Sequence, residues 1–124
     1  MEKPARVPEG MITVRITERA ICIYLPAWLR CKLGSKSSYA RVYHDVVLCC
    51  VLVEFLEKPV GRSYKINQDT CTLRIYSESL IRELGLARVK RRCPAIYDEE
   101  RNCLFIDLSP LREPRNTFKP ADLL

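Results

Sequence analysis

One short segment occurs twice in this chain, and the repeat limits the fold more than any other feature. LPAWLRCKLG occupies residues 25–34 and YSESLIRELG residues 76–85. Each opens with a residue suited to starting a helix, Pro26 at a first helical position and Ser77 as an N-cap. Each carries apolar residues at helical spacing, Leu29 and Leu33 in the first, Leu80, Ile81 and Leu84 in the second. Each closes on Leu-Gly, where glycine can take the left-handed backbone that ends a helix. The two Leu-Gly pairs lie 84 − 33 = 51 residues apart, an offset that also sets Leu29 on Leu80, Arg30 on Ile81 and Leu25 on Tyr76. The chain reads as one small unit written twice, with the second copy drifted.

A unit of roughly 50 residues buries little apolar surface alone. At 124 residues and 48% hydrophobic content, the two copies are expected to share one core, or the chain to pair with a second copy as a homodimer. EKPVGRS, residues 57–63, holds Pro59 and Gly61 and marks the junction. The expected organisation is a first unit over 1–57, a second, degenerate unit over 58–108, and an extended tail over 109–124 punctuated by Pro110, Pro114 and Pro120.

Within the units the pattern is mostly β. MITVRIT alternates, with Ile12, Val14 and Ile16 on one face and Thr13, Arg15 and Thr17 on the other. Glu18 to Ala20 reads as a turn and Ile21 to Leu25 as a strand running into the first helix. Tyr39 to Tyr43 alternates again, His44-Asp45 reads as a turn, and the apolar run Val46 to Val53 suits a buried strand. The second copy repeats this order. Tyr64 to Ile66 is brief, Asn67 to Thr70 turns, Cys71 to Tyr76 alternates, and the strand after LARVKRRC is expected to break at Pro94. Asp98 to Asn102 reads as a hairpin turn before a last strand, Cys103 to Leu108.

Seven cysteines accompany one histidine, His44, and none is spaced C-x-x-C, so neither a metal site nor a cofactor is expected. Cys22, Cys49, Cys71 and Cys103 fall in apolar strand patterns and read as small buried hydrophobes. Cys49 and Cys50, adjacent in a strand, are expected on opposite faces. No nucleophile motif frames His44-Asp45, and the four glycines form no phosphate-cradling loop, so the chain does not read as an enzyme. No apolar run reaches the ~18 residues of a spanning helix, and the N-terminus lacks an apolar leader core. A cytoplasmic protein without membrane contact is the expectation.

The formal charge is +6 and is spread evenly: residues 1–58 hold 9 basic and 6 acidic side chains, residues 59–124 hold 12 and 9. A modest basic surplus fits a polyanionic partner, and equally fits a plain solvated surface. Arg88, Lys90, Arg91 and Arg92 form the densest basic run, suited to neutralising phosphates or to an ordinary solvated loop.

A strand, turn and strand leading into a short helix that ends in Leu-Gly, then a terminal hairpin, resembles the AbrB, SpoVT and MazE family of swapped-hairpin DNA-binding domains. The residues that carry the likeness are IYLPAWLRCKLG, LRIYSESLIRELGL and YDEERNCLFIDL, and it covers roughly residues 11–56 and 64–108. The resemblance implies an α+β, mostly β fold of two ββαββ swapped-hairpin units forming one interleaved small barrel. It implies a double-stranded DNA partner and transcription regulation. It places Arg15 and Arg30 where family members use arginine on DNA, and Arg82 on such a helix position in the second copy. With Arg19 beside Arg15 and Arg30, the expected contact surface is Arg15, Arg19 and Arg30, assisted by Arg82, Arg88, Lys90, Arg91 and Arg92. The family's Gly-Arg before the strand is replaced by Arg19-Ala20-Ile21-Cys22 and by Asp69-Thr70-Cys71-Thr72, and Pro26 becomes Ser77. Some family members are antitoxins whose C-terminal tail wraps a partner protein, which gives a second reading in which residues 109–124 bind a protein.

Overall fold

Alternation decides the first strand of the computed structural model, which describes residues 7–33 and 37–112. Ile12, Val14 and Ile16 are buried while Arg15 is exposed on β1 (Met11–Ile16). A tight turn, in which Thr17 Oγ1 accepts from Ala20 N at 3.0 Å, leads into β2 (Ala20–Tyr24), α1 (Ala27–Leu33), β3 (Tyr39–Asp45) and β4 (Cys50–Leu56). The second copy follows as β5 (Tyr64–Lys65), β6 (Thr72–Tyr76), α2 (Glu78–Leu84), β7 (Lys90–Asp98) and β8 (Cys103–Asp107). A 3-10 turn, Ser109–Leu111, follows β8. Ser77 caps α2 by accepting from Leu80 N at 3.2 Å, and Gly85 closes it with φ of 65°.

The strands form one antiparallel sheet in the order β5-β3-β4-β8-β7-β1-β2-β6. An Asn67–Thr72 bridge links the ends, so the sheet is a nearly closed barrel. The terminal hairpin of each copy pairs with the first strand of the other: β3 lies against β5, and β7 against β1. The hairpins meet along β4 and β8, and the inner strands along β2 and β6. One cluster therefore draws on both copies, including Ile12, Ile23 and Val53 from the first and Leu73, Leu104 and Ile106 from the second. Each such side chain contributes about 1.5–3 kcal/mol by leaving water, and neither copy alone would supply both walls.

The repeat is not spaced uniformly. The helices keep the offset of 51, since Ala27–Leu33 becomes Glu78–Leu84. The strands before them sit at 72 − 20 = 52, because Ala20–Tyr24 becomes Thr72–Tyr76. Tyr24, not Leu25, is thus the counterpart of Tyr76, and the second copy is one residue shorter where Ser77 replaces Leu25-Pro26. The hairpin turns are 53 apart: Asp45 and Asp98 open them, and Cys49 and Asn102 close them with φ of 51° and 52°. Two pairings join a residue to its own counterpart, Cys22 with Arg74 (74 − 22 = 52) and Leu52 with Phe105 (105 − 52 = 53). A local twofold axis passes through both.

Five expectations change. The run Val46 to Val53 is split, because the Asp45 carboxylate accepts from Leu48 N at 3.0 Å and closes a turn. Val46, Val47 and Leu48 are left exposed at its tip, and the strand begins at Cys50. His44-Asp45 ends β3 instead of turning. Cys49 and Cys50 are both buried, since the left-handed backbone of Cys49 removes it from the strand's alternation. Cys71 likewise precedes its strand, with φ of 52°. Pro94 does not interrupt β7. Ala95 N donates to Gly10 O at 2.8 Å on the β1 side, so the proline nitrogen faces the other side, where pairing with β8 begins only at Ala95. The Leu33-Gly34 close of the first helix reaches Gly34, and the tail reaches residues 113–124, both outside the described residues.

Candidate nucleic-acid interface

Strand register brings Lys90, Arg15 and Arg74 into one line. Lys90 pairs with Arg15 across β7 and β1, Arg15 with Cys22 across β1 and β2, and Cys22 with Arg74 across β2 and β6. These paired side chains share the outer face, because Val14 and Ile75, each one residue along, point into the core. Arg92, opposite Thr13, extends the cationic surface one row further. No acidic residue occurs in β1, β2 or β6. Cys22 is small and buried beneath the flanking arginines. Like charges on neighbouring strands repel, so this arrangement costs stability and favours an anion that bridges them.

Two tyrosines interleave with the cations. Lys90 Nζ lies 5.1 Å from the centre of the Tyr24 ring, a cation–π contact. Tyr76, beside Arg74, is 66% exposed. An open groove of about 510 Å³ runs along this face, lined by Val7, Thr13, Tyr24, Lys90, Arg91 and Arg92. Arg91 leans to the rim, where its Nη1 donates to Pro110 O at 3.5 Å.

The remaining residues expected at the interface are elsewhere. β2 and β6 run antiparallel, so the helices that follow them leave from opposite ends of the sheet. α1 is tied near the start of β1, where Trp28 Nε1 donates to Met11 O at 3.0 Å. Arg30 on it donates to Cys71 Sγ at 3.4 Å, and so lies at the far end from Arg19. Arg19 sits 3.4 Å from Glu78 at the start of α2. Arg82 and Arg88 line a groove of about 400 Å³ at the same end, together with Glu18 and Glu78. That end is of mixed charge. The structure thus gathers Arg15, Lys90 and Arg92 with Arg91 at their edge, sets Arg19, Arg82 and Arg88 in a neighbouring mixed cluster, and separates Arg30.

Arg74 belongs to the cationic face and was not anticipated from the sequence. The alternation Leu73, Arg74, Ile75 marks it as outward, but only the β2–β6 register sets it in line with Arg15. His44 makes a surface contact, Nε2 to Glu83 at 3.7 Å. Among the described residues no three His, Cys, Asp or Glu side chains cluster as a metal site, and no helix is long and apolar enough to cross a membrane. No protein-family model matches the chain, and neither do the curated proteins or the solved structures compared with it.

Proposed function

We propose that this protein binds double-stranded DNA across the outer face of β7, β1, β2 and β6, and acts as a transcriptional regulator built from two swapped-hairpin units. The observation that carries the DNA reading is the row Lys90, Arg15 and Arg74 with Arg92 beside it, on three strands free of acidic residues apart from the far end of β7. The swapped-hairpin reading is supported by the exchange of partners, in which the terminal hairpin of each copy pairs with the first strand of the other. Phosphate contacts by these side chains position a duplex and do not by themselves read its sequence.

Four neutralised phosphates give a log–log salt slope of about −3.6, or about 150-fold weaker binding between ~50 and ~200 mM salt. Fluorescence anisotropy of a labelled random duplex measures it. Arg15→Ala with Arg74→Ala is expected to reduce the slope by about 1.8, whereas Arg30→Ala leaves it unchanged. A folded protein that fails to bind at low salt, or a slope that the double variant does not alter, overturns the proposal.

A further inference from the structure

The opposite wall of the barrel has the reverse character. Tyr43, Leu52, Phe105 and Ile96 are paired in sequence across β3, β4, β8 and β7, and so form one unbroken cross-strand row. All four are exposed, Ile96 to 71% and Tyr43 to 45%. A continuous apolar row on a sheet face signals an interface, whereas scattered surface leucines do not. The row is also nearly self-symmetric. Leu52 and Phe105 are counterparts at an offset of 53, and so are Tyr43 and Ile96 (96 − 43 = 53), so the local twofold axis runs through its middle.

We infer that this face is the dimer interface with a second copy of the same chain, packed face to face about a twofold axis running along the row. A self-complementary patch is what such an isologous contact requires, and stacked sheets with nearly aligned strands are a standard packing. The flanking rows fit the operation. On one side of the apolar row lie Arg41, Glu54, Cys103 and Asp98; on the other lie Asp45, Cys50, Asp107 and Pro94. Rotation about the row sets Arg41, ion-paired with Glu54 at 2.8 Å in its own chain, opposite the partner's Asp45 and Asp45 opposite the partner's Arg41, and sets no two like charges directly opposite. One step further out, Tyr39 and Leu56 meet the exposed tip of the β3–β4 turn, where Val47 is 89% and Leu48 65% exposed. An axis parallel to the strands would instead carry that apolar tip to the cationic start of β7, so the first operation is favoured.

Four strands ~4.8 Å apart and about six residues long give a flat area on the order of 400 Å², more with side-chain relief. That is the size of a weak dimer and not of an obligate one. The basic row leaves the apolar face at β7 and continues over β1, β2 and β6 on the far wall of the barrel, so the dimer leaves Arg15 and Arg74 of both copies uncovered.

Sedimentation equilibrium of the full chain from about 1 to 200 µM, the range of a weak interface, tests it without DNA. The wild type is expected to shift from monomer to dimer within this range. Ile96→Lys and Val47→Lys alter side chains outside the core, leave the circular dichroism spectrum unchanged, and weaken association at least tenfold. Arg74→Ala, on β6 at the far wall, leaves it intact. A wild type that stays monomeric at the highest concentration overturns the inference, as does a dimer that neither lysine variant weakens.

Discussion

Asn102 is the side chain that ties the second copy's hairpin to the first copy, and replacing it measures how far the copies depend on each other. Its Oδ1 accepts from the Tyr97 hydroxyl. Its Nδ2 donates to Phe55 O at 3.2 Å and to Ser37 Oγ at 3.3 Å. Two of these partners belong to the first copy. The backbone at Asn102 has φ of 52°, a left-handed conformation that asparagine tolerates better than alanine. Asn102→Ala removes three hydrogen bonds worth about 1 kcal/mol each and adds about 1 kcal/mol of backbone strain, so about 4 kcal/mol is lost. That is a large share of the roughly 5–15 kcal/mol that holds a domain. Asn102→Gly loses the same hydrogen bonds without the strain and is expected to recover about 1 kcal/mol. Asn102→Asp retains the acceptor for Tyr97 and falls between wild type and alanine. Urea denaturation followed by circular dichroism separates the midpoint from the slope and so reads stability directly. An alanine variant within about 1 kcal/mol of wild type, or a glycine variant no more stable than alanine, refutes the reasoning.

Two further outcomes follow from single sites. Burial pushes the Cys93 thiol from 9.0 up to about 12, so above pH 9 the unfolded chain releases a proton that the folded chain retains. Stability is then fully present below pH 9 and falls as pH rises toward 12, by at most about 1.4 kcal/mol per pH unit for this one thiol; urea midpoints taken across that range should show a shallower decline in Cys93→Ala, and identical declines would count against burial of the thiol. At the end of α2, Gly85 has φ of 65° and open space where a Cβ would stand, so Gly85→Ala costs about 1 kcal/mol through backbone conformation alone and Gly85→Asn costs less. Equal stability of the three proteins in thermal melts would contradict that account.

The features legible from residue order are those decided within a few residues. Both short helices, the Ser77 cap and the Gly85 close are set by contacts three or four positions apart. The inward set Ile12, Val14 and Ile16 follows from a period of two, and the Asp98 to Asn102 turn from the Asp98 carboxylate accepting nearby amides at 3.1 and 3.3 Å. The two helices also stand at the offset of 51 residues that the sequence indicates. The same local logic misjudged the run Val46 to Val53, where composition indicated a strand and the Asp45 carboxylate cut it at Leu48.

The candidate site lies on the other side of that line. Residue order supplies the arginines and their outward positions, yet it contains nothing that sets Arg74 in line with Arg15, 59 residues away and across β2, or that parts Arg30 from Arg15. Those outcomes depend on register between strands distant in sequence. Register is settled when Ile23, Val53, Leu73, Leu104 and Ile106 enter one core, since a slip of one residue would turn every side chain of a strand to the other face. Pro94 shows the same dependence, acceptable within β7 only because its missing N–H falls where β8 has not begun to pair. Local chemistry chose the elements, and burial of a shared core chose which cations and which apolar side chains stand together on the surface.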